Sequence, residues 1–287
     1  MERKKITLTD LQRKKANGQK ITMLTAYDYP TARLVDEAGV DMILVGDSLG
    51  MVVLGYDSTL PVTMDEMIHH AKAVRRGTTY AFLVVDMPFL SFQVSEEDAI
   101  RNAGRLMKEA GCDAVKLESA EPRVLRFARA IVEAGIPVLG HIGLTPQSAS
   151  KLGGFTVQGK DAAAAARIMD SAAALEAAGS FGVVLECVPG PLSAQITGLL
   201  KIPTIGIGAG KECDGQVLVL HDLLGLFDRF TPKFAKRYVD LSAGIREALQ
   251  QYRGEVESGA FPGPEHTFTM SEAELKKLGG CCEHHRG

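Results

Sequence analysis

Eight short apolar runs alternate with helical patterns along this chain, and that alternation restricts its fold more than any other feature. The runs are Ile21–Tyr27, Asp41–Asp47, Phe82–Met87, Ala114–Glu118, Pro137–His141, Gly182–Cys187, Pro203–Ile207 and Gln216–Leu220. Between them lie amphipathic stretches such as Asp98–Ala110, in which Ile100, Ala103, Met107 and Ala110 share one face. Ala38-Gly39-Val40, Ala110-Gly111-Cys112, Ala134-Gly135-Ile136 and Ala178-Gly179-Ser180 place a glycine where a helix stops in the left-handed conformation. Apolar strands alternating with helices make a parallel sheet, and eight of them in about 220 residues predict an α/β chain folded as a (β/α)8 TIM barrel. A doubly wound open sheet is the alternative, but no GxGxxG follows the first run. Thr7 to Asn17, stopped by Gly18, predicts an N-terminal helix. The barrel is expected over residues 1–268, followed by a flexible C-terminal tail over 269–287. In that tail Ser271 and Glu274 form a possible capping box. Cys281, Cys282, His284 and His285 crowd together there, but one such cluster without a second ligand pair is a weak zinc signal.

Composition narrows the function. The 287 residues carry a formal net charge of −3, which argues against a general binder of nucleic acid or anionic membrane. The basic start, Met1 to Lys5, is not followed by an apolar stretch, so no secretory signal is expected. No run approaches the roughly 20 apolar residues needed to span a bilayer. Five cysteines, three of them scattered at Cys112, Cys187 and Cys213, make no disulfide framework and suit a reducing, cytoplasmic setting.

Chemistry in such a barrel gathers at the C-terminal ends of the strands. Those ends carry Asp28, Asp47-Ser48, Asp86, Lys116, Glu118, His141, Glu186, the Gly206–Gly210 run and His221-Asp222. Asp28 and Asp222 read as helix N-caps. Lys116 and Glu118 lie two apart on one strand and therefore share a face, and opposite charges on a buried face need a partner or a ligand. Asp47, Asp86 and Glu118 converging on one mouth repel one another unless a cation sits among them. Hard oxygen donors with room for water and substrate describe Mg2+; His141 and the cysteines show no zinc-ligand spacing. Glu186 is either a base or the buried partner of a helix N-terminus.

Several longer stretches then stand in order: Gly46-Asp47-Ser48-Leu49-Gly50-Met51, Tyr56-Asp57-Ser58-Thr59-Leu60-Pro61-Val62-Thr63, Gly140-His141-Ile142-Gly143-Leu144-Thr145-Pro146-Gln147, Leu185-Glu186-Cys187-Val188-Pro189 and Ile205-Gly206-Ile207-Gly208-Ala209-Gly210. Together they resemble the ketopantoate hydroxymethyltransferase (3-methyl-2-oxobutanoate hydroxymethyltransferase) family, over about Ile6 to Phe268. The resemblance implies a Mg2+-dependent enzyme of pantothenate and coenzyme A synthesis, usually a homodecamer. It implies transfer of a one-carbon unit from 5,10-methylenetetrahydrofolate to 3-methyl-2-oxobutanoate, giving 2-dehydropantoate. It places metal ligands at Asp47, Asp86 and Glu118, substrate contacts at Asp47, Ser48, Asp86 and Lys116, and the proton acceptor at Glu186.

Other residues take lesser roles. His141 is a second-tier candidate for placing substrate or shuttling a proton. The Gly206–Gly210 run looks like a barrel phosphate loop, but close backbone approach explains it without a phosphate. Lys233, Lys236 and Arg237 read as a solvated helix face or as partners for the acidic tail of a folate. His69-His70 reads as packing or surface. The rival functions are a Mg2+-dependent 2-oxo acid lyase or mutase of the phosphoenolpyruvate mutase and isocitrate lyase type, and a non-catalytic ligand-binding barrel. Folate dependence separates the first, and the carboxylate, lysine and serine set argues against the second.

Overall fold

A computed structural model describes residues 3–148 and 156–279. Eight parallel strands close into a barrel in chain order, the first pairing with the last. They are β1 Ile21–Thr25, β2 Met42–Val45, β3 Phe82–Asp86, β4 Ala114–Glu118, β5 Val138–Gly143, β6 Gly182–Glu186, β7 Thr204–Ile207 and β8 Gly215–Leu218. All eight expected runs are strands, with ends within two residues of those expected; β5 runs on past His141 to Gly143, and β8 begins one residue early at Gly215. The helices are α1 Leu8–Ala16, α2 Tyr29–Glu37, α3 Leu49–Val52, α4 Met64–Gly77, α5 Glu96–Arg105, α6 Pro122–Glu133, α7 Ala162–Ala177, α8 Gly190–Leu199, α9 Leu220–Leu224, α10 Leu241–Ser258 and α11 Glu272–Gly279. No helix among the described residues is long and apolar enough to cross a membrane.

Local chemistry sets the boundaries. Thr7 caps α1 in a box with Asp10, and Asp28 caps α2 by accepting from the Thr31 N–H. The expected helix over Asp98–Ala110 begins earlier, at Glu96, and its last five residues, Leu106–Ala110, widen into a π turn closed by Gly111 at φ +69°. The strand–helix alternation breaks once. Only residues 208–214 join β7 to β8, and they form no helix. The Gly206–Gly210 run serves close approach, as expected: a Cβ on Gly208 would lie 2.8 Å from the Phe234 ring, and one on Gly210 3.0 Å from the Gly190 Cα.

Alternation along the strands divides the core. Inward residues Ile21, Met23, Met42, Leu44, Phe82, Val84, Ala114, Leu139, Val184, Ile205 and Val217 fill the barrel, with Leu11 of α1 among them. Outward residues such as Ile43, Val45, Leu83, Val85, Val115 and Leu117 pack under the helices.

The floor is tied by charge. Asp41, Asp113 and Asp214 each precede a strand and accept backbone N–H bonds from Thr22, Leu83 and Thr204 of the neighbouring one. Each meets a lysine of the N-terminal segment: Lys14 at 2.5 Å, Lys5 at 2.5 Å and Lys15 at 2.7 Å. A fourth aspartate, Asp36 of α2, is 3 % exposed and receives the N–H groups of Thr79, Tyr80 and Ala81. Replacing Asp36 with alanine strands three donors, and we expect a loss of about 3 kcal/mol in urea unfolding; a loss within ±0.5 kcal/mol would mean that water satisfies them.

Compact packing ends at Val239, and Asp240–Gly287 forms a second unit. Residues 240–268, expected from sequence to belong with the barrel, fall in this second unit. In that unit Tyr252 packs against Phe261, with ring centroids 5.7 Å apart. The Glu274 N–H bonds the Ser271 hydroxyl at the start of α11. The cluster at Cys281, Cys282, His284 and His285 lies outside the described residues.

Candidate active site

The inward rows of β3 to β6 change character at their last rungs. Phe82 and Val84 are followed by Asp86, Ala114 by Lys116 and Glu118, Leu139 by His141, and Val184 by Glu186. Asp47 and Ser48 follow β2 directly. All seven line one cavity of about 700 Å³ at the C-terminal mouth. This is the set expected from sequence, brought together by strand register. Asp86 stands opposite Lys116, and Glu118 opposite His141.

The turns that follow two of these residues are tight. Ser119 and Cys187, immediately after Glu118 and Glu186, have φ of +98° and +49°. Side chains other than glycine seldom occupy that region, and residues held there concentrate at functional sites. The chain thus swings away just beyond each glutamate.

Contacts within the cluster are short and buried. Lys116 Nζ lies 2.8 Å from Asp86 Oδ1, and Asp86 Oδ2 accepts from the Asp47 N–H at 3.1 Å. His141 sits between two glutamates, with Nδ1 3.5 Å from Glu118 and Nε2 3.2 Å from Glu186. Neither His141 nitrogen completes a well-formed hydrogen bond. Ser48 Oγ and the Tyr27 hydroxyl are 2.8 Å apart.

Two residues without an assigned role in the sequence belong here. Gln147, 5 % exposed, donates its side-chain amide to Asp47 Oδ2 and the Met87 carbonyl, and its backbone N–H to Glu118 Oε2, each at 2.9 Å. It lies in the quoted Gly140–Gln147 stretch, and its only sequence signal is an amide just past a strand end. The second is Asp222. The expected N-cap is wrong: α9 begins after Val219 with no side-chain cap, and Asp222 lines the cavity instead. An aspartate two residues past a strand end resembles a cap until the helix start is fixed. Lys233, read as a solvated residue or a folate contact, also lines the cavity. His70 packs as expected, with Nδ1 2.7 Å from the Tyr27 carbonyl.

Burial and like charge make the site electrostatically tense. Desolvation, then Asp86 and Glu118, push the Asp47 carboxyl well above its ordinary range. Burial works against the Lys116 ammonium, but Asp86, Glu118 and Asp47 outweigh it and hold the lysine charged. Glu118 is held low despite burial, chiefly by His141 and then by Lys116 and the Gln147 N–H. Burial and Lys116 oppose protonation of His141, yet Glu118 and Glu186 prevail and raise its pKa from 6.5 to about 9.

A histidine pKa raised by folding adds stability below the unfolded value and loses it as pH rises through the folded one. The melting temperature of metal-free protein is therefore expected to fall between about pH 6.5 and pH 9. A His141→Gln variant should flatten that window. An unchanged slope in the variant would assign the dependence to another group.

Were all four carboxylates ionised against Lys116 and a protonated His141, the cluster would be two positive charges short of neutrality, and the raised Asp47 carboxyl reflects that deficit. That deficit, with the oxygen donors of Asp47, Asp86 and Glu118, suits a divalent hard cation. Each of these carboxylates engages a protein donor here, and among the described residues no group of three or more His, Cys, Asp or Glu is arranged to hold an ion.

The fold has solved relatives among enzymes. A phosphoenolpyruvate phosphomutase from Streptomyces platensis subsp. rosaceus superposes with TM-score 0.58 at 16 % identity, covering 96 % of both chains. A 2,3-dimethylmalate lyase, a PEP mutase/isocitrate lyase superfamily member, gives 0.53 at 15 %, over 96 % of this chain and 95 % of the other. These likenesses show the fold. Sequence is more specific: the family model described as ketopantoate hydroxymethyltransferase matches residues 5–264. The 3-methyl-2-oxobutanoate hydroxymethyltransferase of Moorella thermoacetica is 62 % identical, covering 93 % of this chain and 99 % of that protein. That of Heliobacterium modesticaldum is 59 % identical, covering 96 % and 99 %. The chain belongs to the ketopantoate hydroxymethyltransferase family.

Proposed function

We propose that the chain transfers a one-carbon unit from 5,10-methylenetetrahydrofolate to 3-methyl-2-oxobutanoate, forming 2-dehydropantoate for pantothenate synthesis. The observation that carries this reading is the arc of Asp47, Asp86, Lys116, Glu118, His141 and Glu186 around one mouth, in a chain of this family. Asp47, Asp86 and Glu118 would hold Mg2+. When bound it would supply Lewis-acid polarisation of the keto group.

The protein's own groups do the rest. Lys116 and Ser48 hold the carboxylate or keto oxygen, with Asp47 and Asp86 at the same substrate. Glu186 takes the C3 proton as general base, and the carbon so exposed bonds the methylene carbon; one water supplies the hydroxyl oxygen, both C–N bonds to the folate break, and tetrahydrofolate leaves with the C3 proton and one water proton on its two nitrogens. His141, between Glu186 and Glu118, keeps the base oriented. A homodecamer in the cytoplasm is carried over from the family resemblance.

The test is formation of 2-dehydropantoate from the oxo acid and methylenetetrahydrofolate, with C3 proton exchange into D2O followed separately by NMR. Product that forms only with the folate supports the transferase. Carbon–carbon cleavage without folate would support a lyase or mutase instead.

Gln147 offers a check on the metal assignment. Its side-chain amide fixes the carboxylate of Asp47, and loss of such an outer contact typically costs about 10–100-fold in metal affinity. Gln147→Ala should weaken Mg2+ binding by about that factor in calorimetric titration. An unaltered affinity would remove Asp47 from the metal site.

A further inference from the structure

The cavity is larger than a five-carbon oxo acid needs, since about 300–1,000 Å³ is the range for drug-sized ligands. It is also divided by chemistry. Its charged residues rise from β2 through β6. The sector over β7, β8 and β1 is walled by Ile207, Val217 and Val219, and the chain after α9 adds Phe227, Phe230 and Phe234. Phe234 rests on Gly208, and the Phe227 and Phe230 rings meet edge to face at 5.4 Å.

One carboxylate stands in this apolar sector. Asp222 is 7 % exposed, lines the cavity, and its side chain accepts no hydrogen bond from any described residue. Its carboxylate opens on the cavity rather than on a protein donor, so a ligand held there would supply its hydrogen bonds. Burial raises its pKa to about 6, with Arg237 opposing, so it is ionised at neutral pH. Lys233 adds a cation at the same cavity.

We propose that the sector over β7, β8 and β1 is the pteridine subsite, with Asp222 accepting from N3–H and the 2-amino group of the ring. This inference rests on the transferase reading. The two donors on the ring match a carboxylate in a two-point contact. The aromatic walls cover the ring faces, and Lys233 meets the anionic tail. A ring held here faces the charged sector from the side of Glu186, whose strand adjoins β7. The methylene carbon is then presented to C3 of the oxo acid.

The experiment is calorimetric titration of wild type, Asp222→Asn and Phe230→Ala with tetrahydrofolate and with 2-desamino-tetrahydrofolate, with Mg2+ present. Oxo acid binding serves as the folding control. Wild type should bind tetrahydrofolate, and Asp222→Asn should bind it roughly ten- to a hundredfold more weakly, the scale for losing a charged hydrogen-bonding partner. The desamino compound should lose affinity for wild type and lose little more in the variant. Phe230→Ala should weaken both ligands severalfold. No tetrahydrofolate binding to folded wild type overturns the folate reading itself. Normal binding to Asp222→Asn, or equal affinity of wild type for both compounds, overturns the subsite alone. The second comparison decides the matter even if Asp222→Asn fails to fold.

Discussion

Replacing Glu186 with glutamine is expected to slow C3 proton exchange of 3-methyl-2-oxobutanoate about a thousandfold, within the range for loss of a general base. Glutamine keeps the shape of the side chain and can still meet His141 Nε2, 3.2 Å from the native carboxylate. Binding of the oxo acid should therefore survive, and the loss should fall on the exchange rate. Proton exchange followed by NMR, beside calorimetry of oxo acid binding, separates the two. Exchange at the wild-type rate would exclude Glu186 as the base and point to His141, the nearest titratable neighbour. Parallel loss of binding and exchange would instead make Glu186 a support of the pocket.

Lys116→Ala should show the largest effect on stability, about 3–5 kcal/mol in urea unfolding of the metal-free protein. The pair is almost wholly buried, with 5 % of the lysine and 4 % of the Asp86 side chain exposed. Truncation leaves Asp86 beside Asp47 and Glu118 with its nearest cation gone. A Lys116→Met/Asp86→Asn double variant removes both charges and should recover much of the stability, because a buried ion pair often contributes little net against apolar replacements. Oxo acid binding should stay lost in both. A Lys116→Ala protein as stable as wild type would mean that Asp86 is satisfied without the lysine.

The barrel and most of its site were legible in the sequence because both follow from a period of two. Asp86, Lys116, Glu118, His141 and Glu186 occupy the upper inward positions of their strands, so counting along the strands was enough to bring them together. Residues whose role depends on loop conformation were not legible. Gln147 reaches Asp47 across 100 positions of chain, and no local pattern encodes that bond. Asp222 has the spacing of a cap and acts otherwise only because α9 begins at Leu220. The missing helix between β7 and β8 was detectable in principle: the segment 208–214, with glycines at 208 and 210, is short and rich in helix breakers.

The floor of the barrel has a consequence for the order in which the chain assembles. The β1 strand finds its second partner only in β8, and the Lys15–Asp214 tie closes a span of 199 residues. Contacts so distant along the chain are slow to form, because loop closure precedes any return from them. During synthesis the N-terminal helix and first strand therefore wait, with one edge open, until the final strand has left the ribosome. Barrel closure is then a late event, and the nascent chain is most exposed to mispairing just before Asp214 arrives.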